Sequence, residues 1–166
     1  SGRWIETAVQ TGAGDRAIFM ASFYGISGAS GGGNLRDRNQ SLLAMALARA
    51  SSFGKVPYIL AGDFNEDPND CQMIVKAMAS GFWIDAVQLQ YKEGKVPPTY
   101  CKQGIIDNQG GPGRTRIDTI LINKPALSLF RQVRYLYGML GAGKEYCGLA
   151  IDLDLDRFSS AAWFWK

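Results

Sequence analysis

ILAGDFNEDP, residues 59–68, decides how the rest of the chain is read. It continues the apolar run VPYILA (56–61), which is short and unbroken, as in a strand covered on both faces. The run stops at Gly62, a residue that lets the backbone turn sharply or approach another group closely. Asp63 and Asn65 then straddle Phe64. At i and i+2 of an extended chain the two polar side chains point to one side. A carboxylate that can take a proton and a carboxamide that both donates and accepts can together hold and deprotonate a water molecule. A second reading stands beside this one. The stretch is equally an Asx turn leading into a helix, with Asp67 as the cap and Pro68 at the first helical position.

A second acid lies in GRTRIDTILIN (113–123), where Arg116 and Asp118 fall on one face of a strand and Ile117 on the other. An Asp opening a buried strand is costly unless paired, and an edge salt bridge with Arg116 would pair it. Around these two sites the chain alternates strands and helices. RWIETAV (3–9) and RAIFMASFYG (16–25) read as adjacent strands, with Gly12 and Gly14 in the turn. Residues 35–52 place Leu43, Leu47 and Ala50 on one helical face. A second helix, marked by Ile74, Val75 and Met78, ends near Gly81. FWIDAVQ (82–88) reads as extended, 108–114 as a loop, and 131–138 as a strand. CGLAIDLDLD (147–156) alternates Ile151, Leu153 and Leu155 with three Asp, a strand with one wet face. No repeat or break in composition divides the chain. The expected fold is one α/β domain over 1–166, a layered sandwich of two packed, mostly antiparallel sheets flanked by helices.

Composition narrows the chemistry. The 166 residues are 46% hydrophobic and 20% charged, with a formal net charge of +3, the balance of a domain with a sizeable core. No apolar stretch approaches the roughly 20 residues that span a bilayer. Cys71, Cys101 and Cys147 are odd in number and far apart, which suggests neither a zinc site nor a disulfide framework. An intracellular compartment, cytoplasmic or nuclear, is the default expectation. The chain contains no His. That excludes Ser-His-Asp and Cys-His nucleophile systems and leaves carboxylates, amides, phenols and a hard cation.

AGDFNEDP, followed some fifty residues later by PPTY and RTRIDTILIN, resembles the endonuclease/exonuclease/phosphatase superfamily of Mg2+-dependent phosphodiesterases and phosphomonoesterases. FMASFYG (19–25) is similar to the family strand whose Tyr approaches the scissile phosphate, here Tyr24, and LRDRNQSLLAMAL to the helix after it. The resemblance covers about residues 18 to 156. It implies that Asp63 activates the water, that Asn65 orients the attack, and that Asp118 steadies a catalytic His while Mg2+ neutralises the phosphate.

Two departures accompany the match. The family's first strands carry an Asn and a Glu that ligates metal. Nothing upstream of Arg16 offers that pattern; Glu6 is the only candidate acid and its context, WIETAV, does not match, so the chain is expected to lack those first strands and, unless Glu6 substitutes, part of the metal site. The family's closing Ser-Asp-His motif aligns with KEYCGLAIDLDLD (144–156). Glu145 stands at the metal-side Asp, as the candidate Mg2+ ligand, and Tyr146 at the catalytic His. A Tyr, with a reference pKa near 10, brings no imidazolium charge. The expected function is therefore a nucleic-acid endonuclease-like domain, weak or inactive as this chain. Arg116 is expected at the substrate, with Arg114, Arg131 and Arg134 along a phosphate backbone. The alternatives are a non-catalytic relic or binding module, and a lipid- or inositol-phosphate-directed relative whose WFWK tail (163–166) lies at a membrane interface.

Overall fold

The apolar run at 56–61 becomes the spine of a five-stranded sheet in the computed structural model, which describes residues 3–10, 17–91, 95–102, 113–137 and 145–160. The elements are β1 (Trp4–Gln10), β2 (Ala17–Tyr24), α1 (Gly33–Ser51), β3 (Tyr58–Asp63), α2 (Gln72–Ala79), β4 (Trp83–Asp85) and α3 (Ala86–Gln90). There follow β5 (Tyr100–Cys101), β6 (Arg114–Thr115), β7 (Asp118–Asn123), α4 (Lys124–Leu127), β8 (Phe130–Leu136), β9 (Gly148–Leu153) and α5 (Leu155–Ser160). The large sheet runs β1-β2-β3-β7-β4, antiparallel except for the parallel β2–β3 pair. β8 and β9 form a second, antiparallel sheet, and β5 and β6 a small ribbon.

The period-2 alternation of β3 sets the layers. Tyr58 and Leu60 point to α1 and α2, where they meet Leu43, Ala46, Leu47, Ala50 and Ile74. Ile59 points the other way, with Ile18, Ile120 and Ile122, onto Val133, Leu149, Ile151 and Leu153 of the second sheet. The fold is thus the expected α/β sandwich of two packed sheets with the long helices outside. The two strands of the second sheet leave part of the inner face of β1 and β2 open, and Ile5 is 71% exposed.

Backbone contact, rather than ligand approach, explains Gly62. Its φ is +148°, and a Cβ there would sit 1.9 Å from the Phe23 carbonyl oxygen. Gly25 is equally confined: a Cβ would meet the Phe64 carbonyl oxygen at 2.4 Å.

Several boundaries differ from the sequence reading. The second helix begins at Gln72, not at Pro68. Asp67 instead closes a turn: its Oδ1 accepts from Asn69 N at 2.9 Å, and its carbonyl accepts from Asp70 and Cys71 N. Only 83–85 of FWIDAVQ is extended, because Asp85 Oδ1 accepts from Val87 N and Gln88 N and starts α3. The strand at 116–123 begins at Asp118, so Arg116 lies outside it. The last strand ends at Leu153, and Leu155, 49% exposed, opens α5. The turn at Gly12 and Gly14, the loop at 108–112 and the tail at 163–166 lie outside the described residues. Cys71, Cys101 and Cys147 are buried free thiols. Among the described residues no helix is long and apolar enough to cross a membrane.

Candidate active site

Tyr24, Asp63 and Asp118 form one lateral row. β2 pairs with β3 so that Tyr24 is opposite Asp63, and β3 pairs with β7 so that Asp63 is opposite Asp118. The row lies at the rim of the large sheet, on the side that faces the second sheet. The two acids are fifty-five positions apart in the chain, and pairing of adjacent strands brings them side by side.

The local chain explains how each is held. Phe64 is fully buried and stacks on Phe23 with ring centroids 5.0 Å apart, so its flanking residues turn outward. Asn65 has φ +53°, the only positive φ outside glycine among the described residues. Such strain concentrates where surrounding contacts fix a functional geometry. Here those contacts are Asn65 N donating to Asp63 Oδ1 at 2.7 Å and Asn65 Nδ2 donating to the Gly25 carbonyl at 3.3 Å. The first is an Asx turn, as one reading of GDFN expects, although the helix that follows starts only at Gln72. Thr99, buried in PPTY, receives Ile117 N and Asp118 N on its hydroxyl oxygen at 3.1 and 3.0 Å. Asn39, on the apolar stripe of α1, accepts from Ile26 N at 2.8 Å and donates to the Phe64 carbonyl at 2.9 Å. It therefore ties both loops of the site to the helix. Neither Thr99 nor Asn39 has a role in the sequence reading. Asn39 carried one signal, a polar residue four positions before Leu43 on a buried face.

Burial raises both carboxyls. Asp118 is pushed up to about 7 by desolvation and by the Asp63 charge, against the Thr99 hydrogen bond. Asp63 is raised by burial, against the Asn65 N–H. Asp118 Oδ2 is buried with no hydrogen-bond partner among the described residues. Tyr146 is also raised, by burial first and then by Tyr100 and the two acids, so it is a neutral phenol at physiological pH.

Asp63, Asn65, Tyr24 and Tyr146 line one cleft of about 330 Å³, together with Glu66, Asp67, Asp70, Arg36 and Tyr100. Glu66 is 1% exposed and paired with Arg36 at 3.1 Å. Asp118 opens toward a neighbouring groove of about 400 Å³ between the sheets, walled by Ile5, Met20, Ala61, Ile120 and Leu149. On the other side, sharing Thr115 and Asp67 with the cleft, is a cavity of about 340 Å³ that carries Lys95, Arg114 and Asn69.

Two expected site residues, Arg116 and Glu145, lie outside the Asp63 cleft, Arg116 against the adjoining cavity, and Glu6 is outside it as well. Arg116, expected at the substrate, is 4% exposed, and its Nη1 donates to Asp85 Oδ2 at 2.7 Å and Thr119 Oγ1 at 3.1 Å. It is half of a buried ion pair, and its partner is Asp85, not Asp118. Glu6, whose context does not match the family's metal-binding acid, faces the helix layer, where it accepts from Tyr58 OH at 2.8 Å and Arg49 at 3.2 Å. Glu145, the expected Mg2+ ligand, is exposed and outside the cleft lining; its carbonyl accepts from Cys101 N. Arg131 and Arg134 pair with Asp154 and Asp152 on the second sheet. Trp83 and Asp85 are buried.

Among the described residues no group of three His, Cys, Asp or Glu side chains converges to enclose a metal. A hard divalent cation needs less. Mg2+ commonly takes one or two carboxylates and completes its shell with water and phosphate oxygens. The unpartnered Asp118 Oδ2 beside Asp63 fits that partial ligation.

Neither a family sequence model nor a curated protein sequence matches the chain. Solved structures do. An endonuclease/exonuclease/phosphatase family protein from Bacteroides thetaiotaomicron superposes with TM-score 0.63 at 14% identity, over 90% of this chain and 54% of that one. A 3′ phosphatase from Neisseria, NExo, bound to a product DNA hairpin, gives TM-score 0.65 at 12% identity, over 92% of this chain and 80% of that one. The catalytic domain of Xenopus laevis APE2 gives 0.62 at 17%, over 91% and 54%. This chain thus spans about half the length of two of these three structures. Its fold is that of the endonuclease/exonuclease/phosphatase superfamily.

Proposed function

We propose that this chain, with the fold of the endonuclease/exonuclease/phosphatase superfamily, is a Mg2+-assisted phosphodiesterase-type domain directed at nucleic acid, with attenuated turnover. The observation that carries this reading is the Asp63–Asp118 pairing across β3 and β7, with Asn65 and Tyr24 beside Asp63 in one cleft and Asp118 at the adjoining groove.

Asp63 accepts the proton of an attacking water. A carboxyl raised by burial is a better base at neutral pH than a solvated one. Asn65 orients that water, because its strained backbone and its bond to Gly25 leave it one position. Asp118, with no imidazole to steady, is the group that would hold Mg2+, through Oδ2. The cation supplies positive charge to the phosphate oxygens. The cleft needs it: Asp63, Glu66, Asp67 and Asp70 repel a phosphate, and Arg36 is already paired with Glu66. Lys95 and Arg114, in the adjoining cavity, extend a cationic path along a backbone. Turnover is attenuated because Tyr146 adds no positive charge. Removal of one transition-state donor typically costs about 100- to 1000-fold.

The test is a single-turnover assay of a labelled DNA oligonucleotide with excess protein in Mg2+, beside Asp63→Ala. Slow cleavage is expected, at least about tenfold faster than in the variant. Equal rates in the two proteins would sink the catalytic reading and leave the binding-module alternative.

A further inference from the structure

The hydrolytic reading leaves two rings of the cleft wall without a role. Tyr146 is 39% exposed, and its ring lies 4.9 Å from that of Tyr100, tilted by 44°. The backbone holds the pair in place. Tyr100 pairs with Thr115 in the β5–β6 ribbon and bridges to Tyr146 on its other side. Cys101 N donates to the Glu145 carbonyl and Cys147 N to that of Thr99, both at 2.8 Å, which clamps the two segments around the rings. Both rings line the cleft that carries Asp63 and Asn65. Tyr24, half-exposed, lines it as well, and the Arg3 guanidinium lies 5.4 Å from its ring centroid.

An aromatic face kept partly open to water beside a phosphate-handling carboxylate suits a ligand that joins a flat ring to a phosphate. Aromatic side chains prefer offset or tilted partners, and every nucleobase presents a π-face to such a platform. A sugar phosphate or an inositol phosphate has no ring of that kind. Because Tyr146 stays a neutral phenol, its ring does not repel the adjoining phosphate. The cleft, at about 330 Å³, lies in the range of small-ligand sites.

We propose that Tyr146, backed by Tyr100, is a stacking platform for the nucleobase next to the bound phosphodiester, and that it makes nucleotides the preferred ligand class. This rests on the phosphodiester reading above and adds a residue-level basis for substrate choice. At the position where the resemblance expects a cation, the chain carries a surface for binding a base.

The test compares two probes by fluorescence anisotropy in Mg2+, on a timescale short of cleavage. One is a single-stranded thymidine oligonucleotide; the other has the same backbone with tetrahydrofuran in place of every nucleoside. The base-bearing probe should bind about tenfold more tightly. Tyr146→Phe should keep that ratio and Tyr146→Ala should collapse it to within about twofold, since the ring and not the hydroxyl carries the contact. Equal affinities in the parent protein would overturn the platform and leave the phosphodiester reading in place. Binding of neither probe would remove both. A ratio lost equally in Tyr146→Phe and Tyr146→Ala would assign the effect to the hydroxyl and overturn the platform.

Discussion

Asp118→Asn is expected to stabilise this protein at pH 8 and to leave it unchanged at pH 4. In the folded state the Asp118 carboxyl is pushed up to about 7, above the ordinary value of 3.8, chiefly by burial. Between those values the native state holds a proton that the unfolded chain has released. Stability must therefore fall as pH rises from about 4 to about 7, and the penalty is complete above that range. Each tenfold difference in proton affinity between the folded and unfolded chain corresponds to about 1.4 kcal/mol, so the full penalty is on the order of 2–4 kcal/mol once solvent access at the rim is allowed for. Asn keeps the shape, and the backbone bond from residue 118 N to the Thr99 hydroxyl is untouched. For a domain of this size the gain corresponds to a rise in Tm of roughly 5–15 °C at pH 8. Thermal melts of both proteins across pH 4–8 check it. A parent whose stability rises over that window, or a variant with no gain at pH 8, would contradict the burial of this carboxyl beside Asp63.

Tyr146→His should raise the rate of Asp63-dependent cleavage by about 100- to 1000-fold, the typical worth of one charged donor to a phosphorane-like transition state. An imidazole at position 146, in the cleft lined by Asp63, is favoured in its protonated form by that acidic neighbour, so it brings the charge that a phenol withholds. The gain should fade as pH rises through the imidazole pKa. The same change removes part of the stacking surface. The variant is thus expected to cut faster while binding the base-bearing probe more weakly, a divergence of kcat from KM. The gain must also vanish in the double variant with Asp63→Ala. A variant no faster than its parent would show that the missing cation is not what limits turnover.

The parts of this site that were legible in the sequence are those fixed by local periodicity. An apolar run ending in Gly62-Asp63-Phe64-Asn65 says which residue is buried and which two face outward, and strand pairing does the rest. The same period-2 logic misplaced Arg116. It puts Arg116 on the Asp118 face, but the strand starts only at Asp118, and the guanidinium finds Asp85, thirty-one positions away, on another strand. The place of Glu6 is equally out of reach of local rules: its partners Tyr58 and Arg49 belong to a distant strand and to α1, and no spacing rule identifies them. The helix start after Pro68 was lost to a competing local bond, Asp67 to Asn69, which closes a turn first. Thr99 and Tyr100 sit just before and at the start of the two-residue strand β5, and their partners, Asp118 and Tyr146, are set by tertiary contacts alone.

The convergence of Asp63 and Asp118 is tested most directly by carbon-detected NMR of the Asp carboxyls, titrated in metal-free buffer. The Asp118 resonance should titrate with a midpoint near pH 7 and move to lower pH in Asp63→Asn. A midpoint near 4 that ignores the Asp63 substitution would mean that the two acids do not share a site.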